Sequence, residues 1–459
     1  MPQNRIDTFK HTKKTKHDRE KGRLFLYIAC VYILFVVGRL QELIPVLGQA
    51  HIMKIVGGLS VIALFLSGNS LRNLGKRIKA SQVKCIIGIL VLAIFSIPFA
   101  VWPGNSFDFL ITYYWKILLL FILILCLVAS MKDIDRVIWA FLIAIFFLGF
   151  FSVSSDIQGI AFAKGKVYVT ETYDANDLSM VMIVAFPFAV FWFLDRKGWR
   201  RLVFGGLTAL IVMTSILTSS RGGFVGFLGV SLAILVRARK ILRQAFVPLI
   251  IIIILGGGTF AFYAKSSFRE RMSTLLTYEQ DYNVTAYSGR IEIWKRGLKI
   301  MAENPIFGVG INGFTTAEGL SHKDVGGKWS TAHNSFIQIG AELGIMGLFL
   351  FCFIIWASLN GMRKVLKSVS QGKDAYPILT TFYAIQCSWI GYAIGGFFLS
   401  AAHSPLFFFL AGLSTVIPFL IKDMEKVSVL TPKGGATQLS LPKSSSGRMR
   451  KFKGLGFYD

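Results

Sequence analysis

The sequence predicts an all-α, polytopic membrane protein with about 12 transmembrane helices and one large outer loop that carries short helices. Of its 459 residues, 54% are hydrophobic and only 16% are charged, too few to cover a water-soluble globule of this length. Apolar runs recur along the chain, and those of about 18 residues or more are long enough to cross a bilayer as helices. Lipid is therefore the solvent for most of the surface.

Twelve apolar runs define the predicted spans. They cover residues 24–40, 52–67, 83–102, 108–130, 135–153, 177–194, 201–218, 222–236, 245–264, 335–358, 377–399 and 404–421. The chain is accordingly predicted to have three parts: a cytoplasmic basic tail at 1–23, a transmembrane domain at 24–421 and a cytoplasmic, disordered tail at 422–459.

The placement of the cations predicts the orientation. The net charge is +26, and Lys and Arg concentrate in the two tails and in alternate connections such as 72–79, 132–136 and 196–201. Because cytoplasmic connections carry such an excess, both termini are predicted to be cytoplasmic. A charge distributed in this way also argues against nucleic-acid binding.

One extramembrane segment is large. Residues 265–332 fall on the outer side, and within them Ile291, Trp294, Leu298 and Met301 recur at helical spacing. We expect an amphipathic helix from Arg290 to Met301. No His, Cys, Asp or Glu residues have metal-ligand spacing, so the sequence predicts neither a metal ion nor a cofactor.

Two arginines are the best candidates for binding an anion. Arg221 follows Thr218, Ser219 and Ser220 at the outer mouth of a tight helical hairpin, and its planar fork of donors suits a phosphate. Arg290 opens the amphipathic helix, where free N–H groups add to its charge. The alternatives are a snorkelling arginine and a solvated loop charge. Arg271 is a similar, weaker candidate.

Other polar residues lie at the membrane mouth or within spans. His333 precedes the tenth span and can accept a proton from a hydroxyl, or it is simply an interfacial side chain. His403, in the last outer turn, is more readily structural. Lys116 and Arg39 either hold an anionic headgroup or pair with a carboxylate such as Asp174.

Several short motifs occur together in one order. They are Asp174-Ala-Asn176, Ser220-Arg221-Gly222, Arg271-x3-Leu275, Arg290–Trp294 continuing to Asn304–Gly310, and His333-Asn334-x9-Gly344-x-x-Gly347. In this combination the chain resembles the O-antigen ligase and O-antigen polymerase superfamily of bacterial envelope enzymes. The resemblance centres on residues 203–355.

The resemblance implies a donor, a site and a location. The donor is a glycan on undecaprenyl diphosphate, met on the periplasmic face of the bacterial inner membrane. Arg221 and Arg290 would bind the diphosphate, and His333 would deprotonate or orient the acceptor hydroxyl. Further substrate-binding candidates are Arg271, Asn334, Lys116, Arg39, Asp174 and Asn176. The resemblance requires no metal ion, because the donor arrives activated.

The resemblance leaves the identity of the glycan acceptor undetermined among three possibilities. It is a lipid A core sugar for a ligase, the next repeat unit for a polymerase, or a protein hydroxyl for an O-oligosaccharyltransferase. The His-Asn-x9-Gly-x-x-Gly form favours the ligase. From other classes, a transporter would place charges at the membrane midplane, and an assembly scaffold would use the outer loop for docking.

Overall fold

The computed structural model describes residues 22–68, 70–158, 162–163, 166–167, 170, 172–241, 289–323, 329–369 and 376–430. The chain divides into two compact units, Met1–Leu420 and Ile421–Asp459. Within the second unit only 421–430, the end of the last helix, is described. That helix continues past 421, where the sequence predicts its span to end.

The described residues are helical apart from turns and one antiparallel pair of two-residue strands, Phe162–Ala163 with Lys166–Val167. The helices are α1 Gly22–Val36, α2 Leu40–Leu43, α3 Pro45–Gln49, α4 Ile52–Leu66, α5 Ser70–Arg77, α6 Ser81–Ser96, α7 Pro103–Phe109, α8 Trp115–Leu127, α9 Met131–Ile157, α10 Ala175–Asp195, α11 Trp199–Leu217, α12 Arg221–Ile241, α13 Arg290–Glu303, α14 Phe314–Leu320, α15 Ser335–Val369, α16 Tyr376–Gly396 and α17 Pro405–Leu430. A 3-10 turn, Ile97–Phe99, extends α6, and a π-helical turn, Leu110–Tyr114, joins α7 to α8.

Among these residues, seven helices are long and apolar enough to cross a membrane, and α4 with α5 adds an eighth if that pair, bent by 85°, counts as one span. The seven are Ser81–Phe99, Pro103–Leu127, Met131–Ile157, Ala175–Asp195, Trp199–Leu217, Ser335–Leu366 and Pro405–Met424. The protein is therefore a helical, multi-pass membrane protein. The predicted number of twelve is not confirmed: α1 is shorter, α12 and α16 do not pass the same criterion, and run 245–264 lies outside the described residues.

Helix α10 positions Asp174 and Asn176 at its N-terminal end. Of the seven candidate spans it is the most deeply buried, with 89% of its apolar window inside the protein, and it packs against α9, α11, α12 and α16. A capping box defines its first turn: the Asp174 side chain accepts from the backbone of Asp177, and the Asp177 side chain accepts from the backbone of Asp174. Because α10 packs against four other helices, the residues at its N-terminus have fixed positions.

Helix α15 is broken at Gly344, which has φ 71° and ψ −174°. An added Cβ there would lie 2.5 Å from the carbonyl oxygen of Pro305, and one at Gly308, with φ 64°, would lie 2.3 Å from the carbonyl carbon of Glu342. The break frees the backbone of Ile345 to donate to the Pro305 carbonyl oxygen at 2.9 Å. The Asn-Pro-x-x-Gly-x-Gly segment is thereby docked onto the span, and glycine is required because side chains avoid this backbone conformation.

The described part of 289–332 has its own small core. Its buried members are Ile293, Ile300, Val309, Phe314, Ala317 and Ala332, with Ala341 of α15. A buried ion pair joins α13 to α14, with Arg296 Nη2 2.6 Å from Glu318 Oε1. The predicted amphipathic helix is confirmed, because α13 begins at Arg290 and runs to Glu303.

Candidate functional site

The start of α10 is hydrogen-bonded to the hairpin between α11 and α12. Asn176 is 9% exposed; its side-chain oxygen accepts from Ser220 Oγ at 2.7 Å, and its side-chain nitrogen lies 3.3 Å from Asp174 Oδ2. Ser220 Oγ in turn accepts from the backbone N–H of Gly223 at 3.1 Å. The Asp-x-Asn and Ser-Arg-Gly motifs are thus one connected structure, which determines where Arg221 lies.

Arg290 meets the first turn of α12. A Cβ added to Gly222 would lie 3.4 Å from Arg290 Nη1 and 2.7 Å from the Cβ of Phe398. Glycine at this position therefore leaves room for both the guanidinium and the aromatic residue. Arg221, the preceding residue, is close enough to act electrostatically on Arg290.

The electrostatics of this pair are unfavourable in the protein alone. Burial and, to a smaller extent, repulsion by Arg221 lower the pKa of Arg290 to about 10, while the carboxylate of Asp174 acts in the opposite direction. Two guanidinium groups thus share a partly buried place, and Asp174, the carboxylate that acts on Arg290, is itself engaged in capping α10. A bound anion would offset this excess of positive charge.

His333 is held by its backbone. It adopts the left-handed φ of 46°, which is uncommon outside glycine, and its N–H donates to Ser400 Oγ at 2.7 Å. The neighbouring Ala332 carbonyl accepts from Trp294 Nε1 at 3.1 Å, so α13 is tied to the same segment. Non-glycine residues in such conformations are enriched at functional sites.

Asn334 has a structural role. Its side-chain oxygen accepts from the backbone N–H groups of Phe336 and Ile337 at 2.9 and 3.0 Å, which makes it the N-cap of α15. It is 2% exposed. The motif His-Asn-x9-Gly therefore combines His333, whose backbone is fixed by Ser400, with a helix cap at Asn334 and a helix break at Gly344.

The turn after α16 joins the three candidate catalytic residues, and the sequence did not single it out. Phe398 packs against Gly222 beside Arg290, Phe397 contacts Trp294 with ring centroids 5.4 Å apart, and Ser400 binds the backbone of His333. The small residues Gly395, Gly396 and Ser400 were the available signal. Arg221, Arg290 and His333 are thus arranged around the turn 397–400.

Other predicted residues fall elsewhere or outside the described chain. Arg39 lies 3.7 Å from Glu42 and 3.4 Å from the Tyr113 hydroxyl, not against Asp174. Together with Lys116 it lines a cavity. Arg271 lies outside the described residues.

His403 and possible metal ligands add no further site. His403 Nε2 lies 2.6 Å from Glu342 Oε2, and both side chains are buried, so His403 has a structural partner. In the described part of the chain, no group of three or more His, Cys, Asp and Glu residues is placed to hold a metal ion.

The fold defines a multi-pass helical membrane protein, and comparison with known proteins identifies its central region. Residues 206–352 match the family model described as O-Antigen ligase, so the expected resemblance to that family is confirmed over this region. Arg221, Arg290 and His333 all lie within the matched residues.

Two curated relatives are similar to parts of the chain. An uncharacterized protein of Haemophilus influenzae is 24% identical over 240 residues, covering 49% of this chain and 59% of that protein. A ComP-specific O-oligosaccharyltransferase of Acinetobacter baylyi is 23% identical over 188 residues, covering 39% of this chain and 34% of that protein. The chain therefore spans less than two thirds of the length of each of these relatives.

Proposed function

We propose that this protein is a membrane glycosyltransferase that moves a glycan from an undecaprenyl-diphosphate carrier to a hydroxyl acceptor on the periplasmic side of the inner membrane. Its closest functional type is the O-antigen ligase, acting in lipopolysaccharide or exopolysaccharide biosynthesis. The proposal includes twelve spans and cytoplasmic termini.

The observation that carries the proposal is the arginine pair. Arg221 and Arg290 repel each other in a partly buried place, and Asp174 is the carboxylate that acts on Arg290. A diphosphate brings the opposite charge and several acceptor oxygens, and guanidinium groups bind such oxygens in bidentate fashion. Their attraction to the leaving diphosphate grows as the glycosidic bond breaks, which is where stabilisation accelerates the reaction.

His333 completes the chemistry. The acceptor hydroxyl attacks the anomeric carbon, the bond from that carbon to the diphosphate oxygen breaks, and the hydroxyl proton passes to the imidazole. The carrier leaves as undecaprenyl diphosphate. In this scheme the guanidinium groups supply the positive charge, so no metal ion is required.

A reconstituted transfer reaction tests the proposal. Purified protein in detergent receives an undecaprenyl-diphosphate glycan and a core-sugar acceptor, with a chelator and without ATP. Wild type should form product. Arg290→Lys, which keeps the charge but loses the bidentate geometry, and His333→Ala should each lower the turnover by roughly 10²-fold or more.

The matched control is Lys299→Ala on the same helix as Arg290, because Lys299 is exposed and pairs only loosely with Glu303 at 3.8 Å. It should retain wild-type turnover. Full turnover by His333→Ala would exclude His333 as the base that deprotonates the acceptor hydroxyl. If Arg290→Lys also kept full turnover, the site formed by Arg221, Arg290 and His333 would be excluded as the place of transfer. If the protein moved the carrier-linked glycan across the membrane of vesicles and formed no transfer product, it would instead be a transporter.

A protein acceptor is the second candidate. The similarity to a ComP-specific O-oligosaccharyltransferase, although it covers only 34% of that protein, favours testing it. The same reaction is run with a core sugar, a second carrier-linked repeat unit and a pilin-like protein as competing acceptors. The acceptor that gains glycan distinguishes ligase, polymerase and oligosaccharyltransferase.

A further inference from the structure

The connection between α16 and α17 is hydrogen-bonded to the first turns of α15. Ser335 Oγ donates to the carbonyl oxygen of Leu399 at 2.7 Å and accepts from the backbone N–H of Ala401 at 2.9 Å. The side-chain oxygen of Gln338 accepts from the backbone N–H of Ala402 at 3.4 Å. Side chains of α15 therefore hold the backbone of this connection, although the two segments are more than sixty residues apart in the chain.

A buried pair of a histidine and a carboxylate ends this row of contacts. Glu342 follows Ser335 by seven residues and Gln338 by four, so the three side chains lie on one face of α15. Glu342 Oε2 lies 2.6 Å from His403 Nε2, and the two residues are only 1% and 8% exposed. The row thus begins at the first residue of α15 and ends just before the helix break.

Glu342 also reaches the segment that precedes α15. Its Oε1 lies 3.4 Å from the backbone nitrogen of Phe314, the first residue of α14. A buried carboxylate is costly unless its oxygens have hydrogen-bond donors, and here each oxygen faces a donor from a different part of the chain. Glu342 therefore fixes α14 and the connection that contains His403 relative to α15.

The position of His333 depends on the same connection. Its backbone N–H donates to Ser400 Oγ, and Ser400 lies between Leu399 and Ala401, the two residues held by Ser335. The left-handed φ of His333 is a conformation that persists only where surrounding contacts maintain it. A displacement of this connection would therefore move His333 relative to the arginine pair.

We propose that Glu342 and His403 are positioning residues for His333, which they fix through the connection 399–403. The inference rests on the proposed function, because it assigns the pair to the geometry of the base. Both side chains are buried, so they act through the backbone that they hold and not on the substrate. Displacing a reacting group by about 1 Å can cost roughly 10²-fold in rate, so loss of this pair should be measurable in turnover.

Two substitutions of His403 test the pair in the reconstituted transfer reaction. His403→Phe removes the hydrogen bond but keeps an aromatic ring next to Phe109 and Tyr114, whose centroids lie 5.4 and 5.9 Å from that of His403. His403→Gln keeps an N–H donor at about the place of Nε2. We expect His403→Phe to lower the turnover number about tenfold with less than about a twofold change in the KM of the donor, and His403→Gln to restore turnover to within about threefold of wild type.

A double variant separates positioning from stability. His403→Phe leaves the carboxylate of Glu342 buried without its partner, which should lower the melting temperature. Adding Glu342→Met removes that carboxylate, so the melting temperature should recover towards wild type while turnover stays low. The matched control is Asp133→Asn, which neutralises another buried carboxylate, paired with Arg136 at 2.5 Å; it should lower the melting temperature and keep wild-type turnover.

Hydrogen exchange at the backbone amide of His333 measures the positioning without any substrate. In peptides that cover 331–336, His403→Phe and the double variant should raise the exchange rate about tenfold, whereas Asp133→Asn should leave it unchanged. Unchanged exchange in both His403→Phe proteins, or turnover that recovers together with the melting temperature in the double variant, would overturn the proposal. Failure of the proposed function would show differently, as absence of product from wild type, and the exchange rates would still decide whether the pair fixes His333.

Discussion

Replacing Arg290 by methionine should stabilise the protein while abolishing its proposed activity. The guanidinium is partly buried, it sits at the N-terminus of α13 where the helix dipole disfavours a cation, and Arg221 repels it. Methionine has a similar length and carries no charge. A residue that destabilises the free protein in this way is one whose favourable partner arrives with the substrate.

The magnitude follows from the pKa of Arg290, which is lowered to about 10. Each pH unit by which a folded-state pKa moves corresponds to about 1.4 kcal/mol, so the charged form costs the folded state on the order of 3 kcal/mol. Partial exposure and the loss of the attraction to Asp174 reduce this, and we expect a net gain for Arg290→Met of about 1 to 2 kcal/mol.

The pH dependence has a definite sign. Because the folded pKa lies below that of the unfolded chain, the penalty is present in full below about pH 10 and declines as Arg290 loses its proton above it. The difference in melting temperature between Arg290→Met and wild type should therefore be larger at about pH 8 than at about pH 10.5.

Thermal unfolding in detergent, with and without pyrophosphate, is the assay. Pyrophosphate should raise the melting temperature of wild type and leave that of Arg290→Met nearly unchanged. Lys295→Met, an exposed position on the same helix, should behave like wild type in both conditions. A melting temperature of Arg290→Met well below wild type, or equal protection of both proteins by pyrophosphate, would refute the reasoning.

Three further substitutions separate scaffold from chemistry. Gly344→Ala should destabilise the protein by about 2 to 4 kcal/mol, because the added Cβ meets backbone oxygens and φ is positive. The control is Gly361→Ala on the same helix, where the added Cβ meets only Gln82 Nε2 at 4.0 Å, and this variant should be neutral or slightly stabilising. Thermal unfolding compares the two variants. Asn334→Ala should cost about 1 kcal/mol through loss of the cap, and Asn334→Asp should restore it, as measured by the same unfolding assay. Ser400→Ala removes the acceptor for the backbone of His333 and should lower the turnover number more than it lowers stability, which parallel kinetic and unfolding measurements distinguish.

Part of the fold could be predicted because hydrophobic periodicity is a local property. The helix expected from Arg290 to Met301 is found as Arg290–Glu303, since its apolar residues repeat at helical spacing. The break at Gly344 could not be predicted, because residues 335–358 form one apolar run and hydropathy is insensitive to backbone angles. The break occurs where the 304–310 segment docks onto the helix, and that docking is a tertiary contact.

For the site, the sequence alone determined which residues are unusual: cations and a histidine beside apolar spans, in an order that resembles one superfamily. Only the tertiary structure decided their neighbours. It put Arg290 beside Gly222, assigned Asn334 to capping, paired Arg39 with Glu42, and used the turn 397–400 to connect three distant segments. The reason is physical. A residue's cost in the membrane depends on its own chemistry, whereas its partner depends on how helices far apart in the chain pack together.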